Sequence, residues 1–299
     1  MTTPRLTIGL VARIFNNLPV WAAEELGFFA AAEVDVSSEV LYGVGNVTEA
    51  LRAGRVDIAV GTPESVLSDP ADAPDDQALQ VVGGNARTPA NGLIARRGIS
   101  TVDQLRGGTV GVSHPTEGTG LLVAEMLDAH GMRAGRDYRI AAVGVAEQRS
   151  TMLRDGTIDA ALQTPPHKYD AEDAGHVNLG DIAGFVPEYQ FTTINARRAW
   201  AVEHRDTLRR VLAALSRATR WMYDNPEDVV SLAATVMGTS LDHARRDDAH
   251  FRSTRSLDPG LRLSGRGMAK VVEVMTKAGT LVADTEAVRA TRIDLTALP

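Results

Sequence analysis

"ALRAGRVDIAVGTPES", residues 50–65, returns with few changes as "MLRDGTIDAALQTPPH", residues 152–167. Leu51, Arg52, Gly54, Asp57, Ala59, Thr62 and Pro63 recur as Leu153, Arg154, Gly156, Asp159, Ala161, Thr164 and Pro165. Each copy reads as the end of a helix, a tight turn, a short strand and a Thr-Pro step. Gly54 and Gly156 suit the left-handed position that closes a helix. Thr62 and Thr164 suit a helix N-cap, with Pro63 and Pro165 in the first turn. Each copy is therefore expected to set a helix N-terminus at the carboxyl edge of a parallel strand. Open α/β sheets hold ligands at that edge, and free N–H groups with the helix dipole favour an anion there. Two copies imply two similar α/β lobes whose ligand edges are able to face one another.

The surrounding sequence supports this. Through about residue 195, strand-length apolar runs ("RLTIGLV", "EVDVSSEV", "VDIAV", "LQVVGG", "GLIAR", "TVGVS", "YRIAAV", "IDAAL") alternate with helical patterns ("LPVWAAEELGFFAAA", "NVTEALRAG", "TVDQLRGG", "GTGLLVAEMLDAHGM", "VAEQRSTMLRDG"). Such alternation predicts mainly parallel sheets flanked by helices. The last third reads as helices only. Leu208, Val211, Leu212, Leu215 and Met222 form one apolar stripe, and Asn225 with Pro226 reads as the start of the next helix.

Composition narrows the functional classes. A chain of 299 residues suggests about two domains. A net charge of −7 without a basic run argues against a nucleic-acid surface. The absence of cysteine removes disulfides, thiolate metal sites and cysteine nucleophiles. No apolar stretch suggests a membrane span. The opening "MTTPRLTIGLVARIF" has no basic region followed by a long apolar core. With Met1 as the native start, a cytoplasmic protein is expected; with an export signal removed, a periplasmic one.

Several stretches resemble the nitrate/sulfonate/taurine-type solute-binding proteins of ABC transporters, in the superfamily of the thiamin-pyrimidine-precursor enzymes. They are Pro19 with Ala22, Glu25 and Gly27-Phe28-Phe29; Leu51, Gly54 and Asp57-Ile58-Ala59; and Leu105-Arg106-Gly107-Gly108-Thr109-Val110-Gly111-Val112. The likeness covers about the first 165 residues. It implies a two-lobe type II periplasmic-binding-protein fold. Residues 1–87 plus 190–299 would form one lobe and 88–189 the other, with hinge crossings near 86–92 and 184–192. It also implies a small organic anion in an interlobe cleft, an ABC permease as partner, no cofactor, and a monomer or weak dimer. The thiamin-pyrimidine enzymes of this fold carry a cysteine-rich motif that this chain lacks.

Candidate ligand contacts follow from the strand ends. Arg13 and Asn16 follow the first strand; Thr62, Glu64 and Ser65 follow the first repeat. Ser113, His114 and Thr116 lie in "SHPTEGTG", a turn suited to cradling an anion. Gln163 and Thr164 end the second repeat, and Asn85, Arg87 and Tyr189 lie on the crossings. Each also has an ordinary structural reading: capping, surface exposure or packing. A second function stays open, a metal-free lyase such as a decarboxylase or dehydratase, with His114, Glu117 and His167 as acid–base residues. His243, Asp247 and His250 share a helix face at metal-ligand spacing, but their segment reads as a solvated charged face, and no metal is expected.

Overall fold

Each copy of the repeated segment folds into a sheet of its own. The computed structural model describes residues 3–70, 73–74, 76–116, 118–281 and 292–299. The chain divides into two compact units, Met1–Arg87 with Gln190–Pro299, and Thr88–Tyr189. The first unit begins with β1 (Arg5–Leu10), α1 (Leu18–Glu25), α2 (Phe28–Ala31), β2 (Asp35–Val40), α3 (Val44–Arg52), β3 (Ile58–Gly61), α4 (Pro63–Leu67) and β4 (Leu79–Gly84). The second unit contains β5 (Gly92–Ala95), β6 (Thr109–Val112), α5 (Thr119–Ala129), β7 (Arg139–Ala142), α6 (Ala146–Arg154), β8 (Ala160–Gln163), α7 (His167–Asp173) and β9 (Val177–Asp181). The chain then returns to the first unit as β10 (Thr193–Arg197), α8 (Arg198–Glu203), α9 (Arg205–Asp224), α10 (Pro226–Met237), α11 (Leu241–Thr254) and α12 (Gly265–Lys277).

The two five-stranded sheets share one plan. Their orders are β2-β1-β3-β10-β4 and β7-β6-β8-β5-β9. The first three strands of each run parallel, while β10 and β5 run antiparallel to both neighbours. The register is the same: Ile8 faces Ile58 in one sheet, and Val110 faces Ala160 in the other. The sheets are thus mixed, with one reversed strand next to the edge. That strand arrives in each unit directly after the chain crosses over, so its direction is not set by a strand–helix–strand connection.

The repeated aspartate explains why the sequence repeats. Asp57 accepts a hydrogen bond from the Thr7 amide at 2.9 Å, and its own amide donates to the Thr7 carbonyl at 2.9 Å. Asp159 makes the same clasp with Thr109, at 2.8 Å in both directions. Each carboxylate therefore locks the start of one parallel strand to its neighbour and fixes the register. Gly54 and Gly156 precede the clasp with φ of 75° and 72°, a conformation that costs glycine little. Beneath the clasps, Leu51, Val56 and Ala59 occupy the first core where Leu153, Ile158 and Ala161 occupy the second.

Several local expectations need correction. "LPVWAAEELGFFAAA" is two helices, because Gly27 takes a left-handed conformation between them. "TVDQLRGG" forms only a 3₁₀ turn, Val102–Leu105. β9 and β10 add to the strands expected from the sequence: "VNLGD" and "TINAR" alternate in polarity, but each spans only five residues with two apolar side chains at most, too short a signal to stand out. Asn225 precedes α10, but its side chain donates backwards to the Trp221 carbonyl at 2.8 Å and so closes α9. The helical last third is otherwise as expected: α9 buries its apolar stripe and packs on α1 and α2. The α11 face is not solvated, for His243 and Asp247 are buried. Among the described residues no group of three or more His, Cys, Asp or Glu side chains is arranged to hold a metal ion.

Replacing Asp57 or Asp159 with Ala should lower stability by about 1–2 kcal/mol, because a strand amide loses a charged acceptor. Urea unfolding should show a lower midpoint at an unchanged slope; an unchanged midpoint would refute the clasp. Burial opposes ionisation of Asp159, but the Thr109 amide and Arg96 outweigh it and hold the carboxyl below its ordinary range. Its contribution is therefore full above the unfolded-state value and fades as pH falls through the lower folded value. Asp159→Asn should flatten that acid-side loss.

Candidate functional site

In the first unit, β1, β3 and β4 end at one edge of the sheet and the reversed β10 begins there. Polar side chains gather at that edge and are buried. Asn16, at 2% exposure, accepts at its main-chain oxygen from Asn85 Nδ2 at 2.9 Å. Its own Nδ2 has no hydrogen-bond partner among the described residues. Asn85 also donates to Thr192 Oγ1 at 3.0 Å. Thr62 takes the N-cap position of α4, yet its hydroxyl pairs with Ser65 Oγ at 2.9 Å and caps no amide. Glu64 is fully buried in the first turn of the same helix.

The two arginines expected here are committed elsewhere. Arg13 is exposed and donates to the Val236 carbonyl at 2.6 Å, at the carboxyl end of α10. That position suits a cation, because helix-end carbonyls carry partial negative charge. Arg87 pairs with the buried Asp258 and also donates to the Arg262 carbonyl at 3.2 Å. Asn17, at the start of α1, donates to the Ala12 carbonyl at 2.7 Å and closes its own loop.

In the second unit, the matching edge carries Ser113, Asn91, Gln163 and Thr164. Ser113 Oγ lies 2.6 Å from Thr119 Oγ1, and the Ser113 amide donates to that same oxygen at 3.0 Å. His114 and Thr116 are exposed, with His114 Nδ1 3.2 Å from Thr116 Oγ1. Glu117 lies outside the described residues. Gly120 is required by the tight return of this loop, since a Cβ there would sit 2.2 Å from the His114 carbonyl oxygen.

Thr164 is not a helix cap. α7 starts only at His167, after the Pro165–Pro166 pair, and Thr164 Oγ1 accepts from Asn91 Nδ2 at 2.6 Å. The second proline of this copy thus gives the Thr-Pro step a different outcome from the first. Gln163 is fully buried; its Nε2 donates to Ser150 Oγ at 3.0 Å and to the Ala146 carbonyl at 3.3 Å. Gln163 Oε1 and Asn91 Oδ1 have no hydrogen-bond partner among the described residues. Tyr189, at the end of this unit, is fully buried.

His167 is partly buried between two carboxylates, with Nε2 3.3 Å from Glu147 Oε1 and Nδ1 3.6 Å from Asp170 Oδ2. The hydrogen bond from His167 holds Glu147 below the ordinary carboxylate range. One buried group at this edge escaped the sequence reading. Arg149, in the first turns of α6, is 3% exposed, and burial pushes its guanidinium down to about 10. In sequence it looks like one more polar residue of "VAEQRSTMLRDG", and only packing reveals it. Asn91, Thr192, Thr193 and Asn195 were missed for the same reason; all four are buried.

Each edge offers polar donors and acceptors with spare capacity, and that of the second unit also holds two buried cations, Arg149 and Lys168, the latter paired with Asp181 at 2.6 Å. That chemistry suits recognition of a small polar or anionic molecule.

A family model described as NMT1/THI5 like matches residues 14–229. The bicarbonate transport ATP-binding protein CmpC of Synechocystis sp. is 27% identical over 271 residues. That alignment covers 81% of this chain and only 39% of the CmpC chain. The periplasmic nitrate-binding protein NrtA from Synechocystis PCC 6803 has a similar structure, with a TM-score of 0.81 at 14% identity, over 99% of this chain and 87% of NrtA. The alkanesulfonate-binding protein SsuA from Xanthomonas axonopodis pv. citri, bound to MOPS, gives 0.76 at 19% identity, over 98% and 99%. At these identities the structures establish the shared periplasmic-binding-protein fold, while the sequence match spans well over half of the chain. The chain belongs to the NMT1/THI5-like family.

Proposed function

We propose that this protein is the solute-binding component of an ABC importer and holds a small anion, such as a carboxylate, sulfonate, nitrate or bicarbonate. One observation carries the reading. Both sheets end, at the same edge, in buried polar side chains with unused hydrogen-bonding atoms: Asn16 Nδ2 in one, Gln163 Oε1 and Asn91 Oδ1 in the other. Buried polar atoms are nearly always paired, so unused ones at a ligand-binding edge are reserved for a ligand or ordered water. The relatives supply the class: NrtA binds nitrate, SsuA alkanesulfonates, and CmpC is a bicarbonate transport ATP-binding protein.

A permease is the implied partner, and work with an importer sets the site of action outside the cytoplasm. Among the described residues no helix is long and apolar enough to cross a membrane. A second reading, an enzyme on the same scaffold, draws on the His167–Glu147 contact at 3.3 Å. It predicts a changed product, lost in His167→Ala, where the binding reading predicts that the solute is recovered intact.

A thermal-shift screen with nitrate, bicarbonate, methanesulfonate and benzoate tests the main reading. A solute at a hundred times its Kd should add about 2.7 kcal/mol and raise Tm by a few degrees. A screen in which none of these anions moves Tm would sink it. For any binder, at least one of Asn16→Leu and Thr164→Val should weaken affinity about tenfold, near 1.4 kcal/mol, by removing one hydrogen-bonding group. Unchanged affinity in both would put the solute elsewhere.

A further inference from the structure

The duplicated architecture supplies its own control for Arg149. Helices α3 and α6 have the same length and the same place after their strands, and their sequences align as "VGNVTEALR" and "AEQRSTMLR". Leu51 and Leu153 fall at one position, and Val47 and Arg149 at another. Val47 is 1% exposed within the first core. This position therefore accepts an apolar side chain, and the fold has no need of a charge there. A guanidinium in its place is strongly unfavourable unless an opposite charge and hydrogen bonds compensate it.

Within the protein that compensation is incomplete. Arg149 Nη1 donates to the Gly144 carbonyl. Its Nε has no hydrogen-bond partner among the described residues, and the side chain enters no ion pair there. Glu147, the acidic group whose field reaches Arg149, is exposed and engaged with His167. What remains is the side-on edge formed by Nε and Nη2. That fork matches two oxygens of a planar or tetrahedral oxyanion. The neighbouring polar group is Gln163, which reaches the same first turns of α6 through Ala146 and Ser150.

We propose that Arg149 is the counter-ion of the bound solute, pairing its Nε–Nη2 edge with a single oxyanion head, so that the protein selects anions over neutral molecules of the same shape. The proposal rests on the solute-binding reading above. It assigns the charge recognition to α6 and not to Arg13, which closes α10, or Arg87, whose Nε also lacks a hydrogen-bond partner among the described residues but whose charge is paired with Asp258.

Calorimetric titration of the wild-type chain, Arg149→Met and Arg149→Lys tests it, using nitrate, bicarbonate, methanesulfonate and benzoate, with methanesulfonamide and benzamide as neutral counterparts. Ligand-free melts of all three proteins are taken alongside. Any anion that binds the wild type should bind Arg149→Met about a hundredfold or more weaker, as when one partner of a buried charge pair is removed. Arg149→Lys should be intermediate, because an ammonium lacks the fork. The ligand-free Tm of Arg149→Met should equal or exceed that of the wild type, since an uncompensated buried charge is gone. A lower Tm with undiminished affinity would show a structural arginine and overturn the proposal. So would neutral amides that bind the wild type as tightly as the anions. If Arg149→Met does not fold, Arg149→Lys decides: weaker anion binding at an unchanged Tm supports the pairing, and unchanged affinity refutes it. A wild-type protein that binds none of the six compounds would instead overturn the solute-binding reading itself.

Discussion

The clasp between an aspartate and the opposite strand is what the rest of the structure depends on. Asp57 and Thr7, and Asp159 and Thr109, each exchange a carboxylate–amide and an amide–carbonyl hydrogen bond. A short parallel strand of four residues has few ladder bonds to fix its register, and a slip by one residue would turn every side chain to the opposite face. A charged acceptor on an amide of the neighbouring strand makes the correct register the favoured one. With the register set, the strand ends fall together, and so do the loops that follow them.

The polar edges are a consequence. Once β3 and β8 are in place, the residues after them, Thr62 and Thr164, stand next to the start of the reversed strand of each sheet. Thr164 meets Asn91 just before β5, and the Thr62 carbonyl accepts from Asn195 in β10 at 3.2 Å. Where the two copies differ, the difference is local and physical. Gly61 leaves room for Asn195, whose Nδ2 would lie 3.2 Å from a Cβ at that position. Its counterpart Gln163 sends a side chain to α6. One plan thus carries two distinct sets of polar groups, as a scaffold serving different chemistries through its loops would.

Charge placement shows how burial decides meaning. Arg13, Arg87 and Arg149 look alike in the sequence. The first closes a helix end, the second is neutralised by Asp258, and the third is buried without a carboxylate. Likewise His243 and Asp247 share a helix face, but that face is packed inside and not washed by solvent. Glu147 and His167, twenty residues apart in the chain, become neighbours because α6 and α7 pack together.

The sequence alone carried the duplicated fold, because the repeat encodes local events: a helix end, a left-handed glycine, a strand and a Thr-Pro turn, each governed by near neighbours. It also carried the amphipathic α9 stripe and the strand ends where polar groups would gather. Only the tertiary structure decided the reversed β10 and β5, the separate fate of Thr164, and which of Arg13, Arg87 and Arg149 is buried without an ion pair. Those outcomes depend on contacts between residues far apart in the chain, and on burial, which turns an ordinary surface charge into a group that requires a partner.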